Sequence, residues 1–127
     1  MAEMGAPGFA PGRHLLDAYG RGGFRFAGMS HRGSILVLPS GIVAWPVSSA
    51  RGLKPADLAA VFAEEPALDF LLIGTGVEIV PLPDAVRRPF REAAISLDAM
   101  QTGAAARTYN VLLTENRRVG AALIAVA

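Results

Sequence analysis

Two short segments carry residue types that could bind an anion or a small molecule. One is the Gly-Thr-Gly turn after the apolar run 71–73, and the other precedes a run of small residues. A glycine turn lets backbone approach a ligand closely, and a helix N-terminus offers free N–H groups to an anion. If both segments lie at one edge of a sheet, they frame one pocket. The predicted ligand-binding residues are Gly74, Thr75, Gly76, Met100, Gln101, Thr102 and Gly103.

Both segments also have a purely structural interpretation. A dinucleotide fingerprint needs a third glycine and a helix after the turn, but Ile79 stands at that position in an extended β-branched stretch. The turn then requires only positive φ or close backbone approach. Thr102 is in the same way a predicted N-cap, as at the start of many helices. Asp98 is a general-base candidate without a second carboxylate beside it.

The remaining reactive side chains do not form a catalytic set. Ser30 and His31 do not make a nucleophile elbow, because Arg32 stands where that motif needs glycine. His14 and His31 lack metal-ligand spacing, and the chain has no cysteine. The sequence therefore predicts no catalytic residue, no metal site and no cofactor. A cryptic enzyme built on the glycine turn is the alternative.

Charge and hydropathy narrow the class of partner. The net charge is +1, which argues against nucleic acid as a partner. Residues 1–54 carry six basic and two acidic side chains, while residues 55–127 carry six and nine. No apolar run reaches the roughly 18 residues of a membrane span, and residues 1–13 lack the apolar run of a secretory signal. We expect a cytoplasmic protein without a membrane span, for which peripheral association stays open.

Hydrophobic patterning predicts the elements that position these segments. Residues 1–13 are expected to be a flexible arm, and residues 14–127 one α/β domain. Residues 14–19 and 24–27 form a first predicted hairpin, and residues 34–38 and 42–47 a second, with Trp45 as a core anchor. Further strands are expected at 69–73, 77–80, 95–99 and 119–126. Runs 35–38, 70–73 and 121–126 lack polar alternation, as in strands buried on both faces.

Three helices complete the predicted fold. They cover residues 55–65, 84–94 and 102–116, and their alternation with strands indicates a layered α/β fold with a mixed central sheet. The N-terminal hairpins belong either to that sheet or to a second small antiparallel layer. On the third helix, Tyr109 is expected at the core edge with its hydroxyl in reach of water. Arg107 and Asn110 are predicted on the opposite side of this helix, where they form a polar, partner-facing cluster with Arg118; an ion pair between Glu115 and Arg118 is the alternative.

A series of short motifs, in this order, resembles the consensus of one known family. The match covers about residues 14–125 and consists of Asp17-Ala18-Tyr19-Gly20, Gly23-Phe24-Arg25-Phe26, Gly33-Ser34-Ile35-Leu36, Trp45, Ile73-Gly74-Thr75-Gly76, Met100-x-Thr102-x-Ala104-Ala105-x-x-Thr108-Tyr109-Asn110 and Arg118-Val119. The chain resembles a bacterial member of the small single-domain family of unknown function. That family includes mitochondrial complex I assembly factor three and the adipogenesis-associated domain protein.

The resemblance implies a layered α/β fold with a mixed sheet, no established enzyme activity and no bound cofactor. It also implies a protein partner, drawn from respiratory-complex subunits or assembly factors, by analogy with the mitochondrial branch. Two departures limit the analogy. Gln101 stands where many relatives have an acidic residue, and Ala106 where some have a cysteine. A site that needs an acid or a thiol at those positions cannot operate in this chain.

Overall fold

The computed structural model describes residues 10–127, in which a six-stranded mixed sheet and a three-stranded antiparallel sheet accompany three α-helices. The α/β class, the mixed sheet, the second small layer and the three helices are thereby confirmed. The strands are β1 (Ala10–Pro11), β2 (Leu16–Gly20), β3 (Gly23–Phe26), β4 (Met29–Arg32), β5 (Ile35–Leu38), β6 (Gly41–Ala44), β7 (Phe70–Gly74), β8 (Ser96–Met100) and β9 (Val119–Leu123). The helices are α1 (Ala59–Phe62), α2 (Asp84–Glu92) and α3 (Thr102–Thr114).

The large sheet has the strand order β1-β6-β5-β9-β7-β8. Its C-terminal part is parallel, since β7 pairs with β8 on one side and with β9 on the other in the same direction. Its N-terminal part is antiparallel and is joined to the parallel part by the antiparallel pairing of β5 with β9. Two β-α-β crossovers through α2 and α3 build the parallel part. Because both crossovers are parallel, the carboxyl ends of β7, β8 and β9 meet at one edge.

The central strands are buried on both faces. Along β7, Leu71 and Ile73 pack into one core, and Leu72 packs into the other. Strands β5 and β9 divide their side chains between the same two cores. The first core is covered by α2 and by the segment around Trp45, whose Nε1 donates to the Asp57 carbonyl oxygen at 2.8 Å. The prediction that Trp45 anchors the core is therefore confirmed.

Helix α3 and the small sheet β2-β3-β4 cover the second core together. Phe24 and Phe26 enter this core from the small sheet, and Ala105 and Ala106 enter it from α3. The Asn110 side-chain amide accepts from the Leu16 N–H and donates to the Leu16 carbonyl oxygen, each at 2.8 Å. Helix and sheet are thus joined through β2. Tyr109 is buried, and its hydroxyl donates to the His14 carbonyl oxygen at 2.9 Å, so the expected water-facing hydroxyl is wrong.

Several predicted boundaries differ from the structure for identifiable reasons. Residues 77–80 are not a strand, because the Thr75 side chain holds this segment in a turn. The helix predicted at 55–65 is a 3-10 turn, Pro55–Leu58, followed by the single turn of α1. Strand β4 was not predicted. It pairs with β3 and contains Ser30 and His31.

The N-terminal arm is only partly described. Residues 1–9 of the predicted arm lie outside the described residues. Of the rest, Ala10 and Pro11 form β1, which pairs with β6 in the register Ala10–Ile42. Ala10 is buried in the second core. The six-stranded sheet therefore begins before residue 14.

The burial of Tyr109 predicts a dependence of stability on alkaline pH. Desolvation raises the pKa of Tyr109 from 10.0 to about 12. Because the folded-state pKa lies above the unfolded value, the unfolded chain loses its proton first. The free energy of unfolding then falls as pH rises from about 10 towards 12, by at most about 1.4 kcal/mol per pH unit.

Urea denaturation across this pH range compares the chain with Tyr109→Phe. The variant loses the hydroxyl bond, at about 1 kcal/mol near neutral pH, but its stability should fall less steeply above pH ~10. Tyr19→Phe, which removes a hydroxyl from a half-exposed ring, is measured alongside as the matched Tyr-to-Phe substitution. Equal slopes in parent and Tyr109→Phe would contradict the assignment.

Candidate functional site

The two predicted ligand segments meet at the carboxyl edge of the parallel strands. Gly74 pairs with Met100 in the β7–β8 register. Beyond the strands, the Thr75 N–H donates to the Met100 carbonyl oxygen at 2.8 Å, and the Thr102 N–H donates to the Gly76 carbonyl oxygen at 2.9 Å. The structure therefore brings the predicted residues together by continuing the backbone pairing past the ends of the strands.

The hydroxyl of Thr102 ties three chain segments at this edge. Thr102 is fully buried; its Oγ1 donates to the Ile124 carbonyl oxygen at 2.7 Å and accepts from the Gly76 N–H at 3.0 Å. Thr102 is the first residue of α3, and Gln101 occupies the N-cap position without a side-chain cap. The predicted N-cap role of Thr102 is wrong, because its hydroxyl points into the protein and bonds to the ends of β7 and β9.

The hydroxyl of Thr75 organises the turn after β7. It donates to the Glu78 carbonyl oxygen at 2.6 Å and accepts from the Val80 N–H at 3.1 Å. Gln101 adds a bond from its Nε2 to the Val77 carbonyl oxygen at 2.8 Å. Gly76 has φ of 106°, a conformation that favours glycine. The Gly-Thr-Gly turn is thus stabilised by polar side chains on its own and the neighbouring segment.

The glycines of this edge permit close approach of α3. A Cβ on Gly74 would lie 2.8 Å from the Thr102 Cα, so the start of the helix requires glycine at the end of the strand. A Cβ on Gly103 would overlap the hydroxyl of Tyr19, which β2 places beside the first turn of α3. The described N–H groups of Thr75, Gly76 and Thr102 all have partners within the protein. These contacts do not support a ligand site at the turn.

A shallow groove of about 350 Å³ adjoins this edge. It is bordered by Thr75 and the turn that follows, by the segment after β9 and by the loop that contains Arg51. The turn presents two large exposed apolar side chains, Val77 and Ile79. The groove is therefore a solvent-open surface feature.

The three predicted partner-facing residues do not form one cluster. Arg107 is exposed on α3. Asn110 is half-buried and engaged with the backbone of β2, as described above. Arg118 lies at the opposite edge of the sheet, where its guanidinium donates to the Pro66 carbonyl oxygen at 2.6 Å and the Ala67 carbonyl oxygen at 3.2 Å. Both Asn110 and Arg118 thus have structural hydrogen bonds, and Arg107 is the freely exposed member of the set.

The small sheet carries a basic surface that is not among the sites predicted from the sequence. Arg25, Ser30 and Arg32 lie on the outer face, opposite the core-facing Phe24 and Phe26, and this face borders a concave space of about 570 Å³. Arg25 Nη1 donates to Ser30 Oγ at 3.3 Å. The alternation of Met29 and His31 with the more polar Ser30 and Arg32 is the period-2 signal in the sequence that indicates β4 and its outward side chains.

Between residues 10 and 127, His, Asp and Glu side chains do not gather into a group of three able to hold a metal ion. No helix in the same range has the length and apolar character required to cross a bilayer.

Together these features define a small α/β domain whose buried polar groups serve its own fold and whose remaining polar chemistry is on its surface. A family profile described as "Protein of unknown function (DUF498/DUF598)" matches residues 16–124. The chain belongs to this family.

Individual relatives agree with the profile. An uncharacterised protein of Rhodobacter capsulatus is 42% identical over 118 residues, which cover 93% of this chain and 89% of the relative. Human NADH dehydrogenase (ubiquinone) 1 alpha subcomplex assembly factor 3 is 30% identical over 109 residues. These cover 86% of this chain but only 59% of the assembly factor. A crystal structure described as an outer membrane protein from Bartonella henselae is 51% identical, with a TM-score of 0.87 over 92% of this chain and 98% of that one.

A substitution at Thr102 tests whether its buried hydroxyl stabilises the carboxyl edge of the parallel strands. Thr102→Val keeps the shape of the side chain but leaves the Gly76 N–H and the Ile124 carbonyl oxygen without this partner. We expect the variant to lose about 2 to 3 kcal/mol of unfolding free energy in urea denaturation. Thr114→Val, at the exposed end of the same helix, is the matched control and should stay within about 0.5 kcal/mol of the parent. Comparable losses in both variants would disprove the special role of Thr102.

Proposed function

We propose that this protein is a non-catalytic interaction factor that assists the assembly of respiratory NADH:quinone oxidoreductase. The observation that carries this proposal is the similarity to assembly factor 3, which extends over 86% of this chain. The matched region is this α/β domain and spans 59% of the assembly factor. The proposal therefore assigns the assembly role to contacts that the domain itself can make.

The arrangement of the polar groups supports an interaction role over a catalytic one. The buried hydroxyls of Thr75 and Thr102 are used by hydrogen bonds within the fold. On the outer face of α3, Arg107 and Val111 are one helical turn apart and both exposed, Val111 at 55%. An exposed guanidinium beside an exposed apolar side chain is typical of protein interfaces, in which arginine is enriched.

The partner in this proposal is a subunit of the respiratory complex or another assembly factor. The proposed location is the cytoplasm, with peripheral association at the membrane while the partner is bound. Arg107 is the proposed contact. Asn110 holds β2 against α3, and Arg118, which lies away from Arg107, holds the loop at Pro66 and Ala67. Neither nucleic acid nor a cofactor takes part in this proposed role.

Native purification of a chromosomally tagged chain from detergent-solubilised cells tests the function. We expect mass spectrometry to recover subunits of NADH:quinone oxidoreductase or its assembly proteins above an untagged control. Deletion of the gene should lower the amount of fully assembled complex on native gels, and the parent chain should restore it. Normal assembly in the deletion strain, together with no specific partner, would refute the proposal.

A charge reversal on α3 tests the contact surface. Arg107→Glu should reduce partner recovery about tenfold, because arginine is enriched among the few interface residues whose removal costs more than about 1 kcal/mol of binding free energy. Arg117→Glu changes the charge equally at an exposed position beyond the helix and should leave recovery unchanged. Thermal unfolding of both variants checks that the fold is intact. Equal recovery with both variants would remove Arg107 from the interface.

A further inference from the structure

We infer that the outer face of the β2-β3-β4 sheet binds an extended, acidic segment of a partner protein. This inference rests on the proposed function only in taking the occupant to be a protein. The surface is distinct from α3 and from the carboxyl edge of the large sheet. Its charge, its shape and its spacing each support an acidic peptide chain as the occupant.

The shape of the face comes from the strand register. Arg25 lies opposite Ser30, and Arg32 lies opposite Gly23, so both arginines are on the side away from the core. Arg21 stands in the turn between β2 and β3. The floor between these side chains is made of small residues such as Ala18 and Gly23, and the concave space above it is about 570 Å³. A backbone can therefore approach the sheet between the guanidiniums.

The positive charge of this face is not balanced by a carboxylate among the described residues that line it. Among the described residues that border it, Arg21, Arg25 and Arg32 bring three guanidiniums and none brings a carboxylate. All three arginines are exposed. The ion pairs formed between described residues lie elsewhere, on α2 around Asp84. Three neighbouring cations repel one another, and a carboxylate-bearing occupant relieves that repulsion.

The guanidiniums are distributed along the face. A Cβ built on Gly22 would lie 3.7 Å from Arg32 Nη1, so the Arg32 head group lies over the β2–β3 turn, near Arg21 in sequence. Arg25 lies two residues beyond Gly23, the residue opposite Arg32, and its guanidinium donates to the Ser30 hydroxyl. Diagonal neighbours on an antiparallel sheet are roughly 7–8 Å apart, and alternate side chains of an extended chain recur at about 6.6 Å. Carboxylates at alternate positions of an extended peptide match this spacing.

The openness of the face favours a chain over a small anion. Each exposed guanidinium–carboxylate pair is weak because water competes for both groups. A small anion on this surface would form one or two such pairs and keep much of its hydration. A peptide supplies several carboxylates on one backbone, so the second and later pairs form without a further loss of translational freedom. Arg clusters that bind acidic motifs use this combination.

Fluorescence anisotropy with the full chain tests the inference. The probe is a fluorescein-labelled peptide of alternating Glu and Ser, about 12 residues long, and the comparison peptide has Gln at every Glu position. We expect the acidic peptide to bind at least about tenfold more tightly than the Gln peptide, with affinity that falls as salt is added. The double variant Arg25→Gln/Arg32→Gln should weaken acidic-peptide binding about tenfold.

Matched controls separate this surface from general positive charge. Arg87→Gln/Arg117→Gln removes the same charge from α2 and the segment after α3 and should leave binding within about twofold of the parent. Equal binding of the two peptides, or equal loss in both double variants, would overturn the inference. Displacement of the peptide by inorganic phosphate at equal total charge would also overturn it, in favour of a small-anion site. Failure here with intact co-purification of respiratory subunits would leave the proposed function standing, since that test does not use the peptide.

Discussion

The burial of β5, β7 and β9 on both faces is the constraint from which the rest of this structure follows. Each of these strands sends alternate side chains into two separate cores, as Leu71 and Leu72 do in β7. Neither face can be left to water, so α2 with its neighbouring loops covers one and α3 with the small sheet covers the other. The backbone of such strands must be fully paired, because an unpaired N–H or carbonyl group in a dry core is costly.

The same requirement explains the polar residues at the carboxyl edge of the sheet. Where β7 and β9 end, their last backbone groups still lie inside the protein, and the Thr102 hydroxyl supplies partners to both ends at once. Thr75 does the same for the turn that follows β7. Residues that resemble a ligand-binding turn in the sequence thus complete the hydrogen bonding of the fold. Glycine at 74 serves the same end, since it lets the start of α3 reach the strand.

With the described interior polar groups engaged in this way, interaction chemistry is left to the surface. Residues 1–54 carry an excess of basic side chains, and the fold gathers three of them, Arg21, Arg25 and Arg32, on one face of the small sheet. Arg107 adds an exposed cation on α3, next to Val111. These two surfaces are places where the described residues offer exposed cations to a protein partner of the kind proposed above. The weak net charge of the chain hides this local asymmetry.

The sequence by itself determined the α/β class, the two N-terminal hairpins, the buried central strands and the extents of α2 and α3 to within a few residues. These follow from local periodicity and turn residues, which act within a few positions of the chain. Only the tertiary structure decided the inward role of Thr102, the turn at residues 77–80, the buried hydroxyl of Tyr109 and the separation of Arg107 from Arg118. Thr102 and Tyr109 depend on partners distant in sequence, Ile124 and His14, and Arg118 bonds to the equally distant Pro66 and Ala67. The turn at residues 77–80 combines local bonds from Thr75 with one bond from the distant Gln101. Hydrogen bonds between distant segments leave no periodic signal in the sequence. Their partners can therefore be identified only from the folded structure.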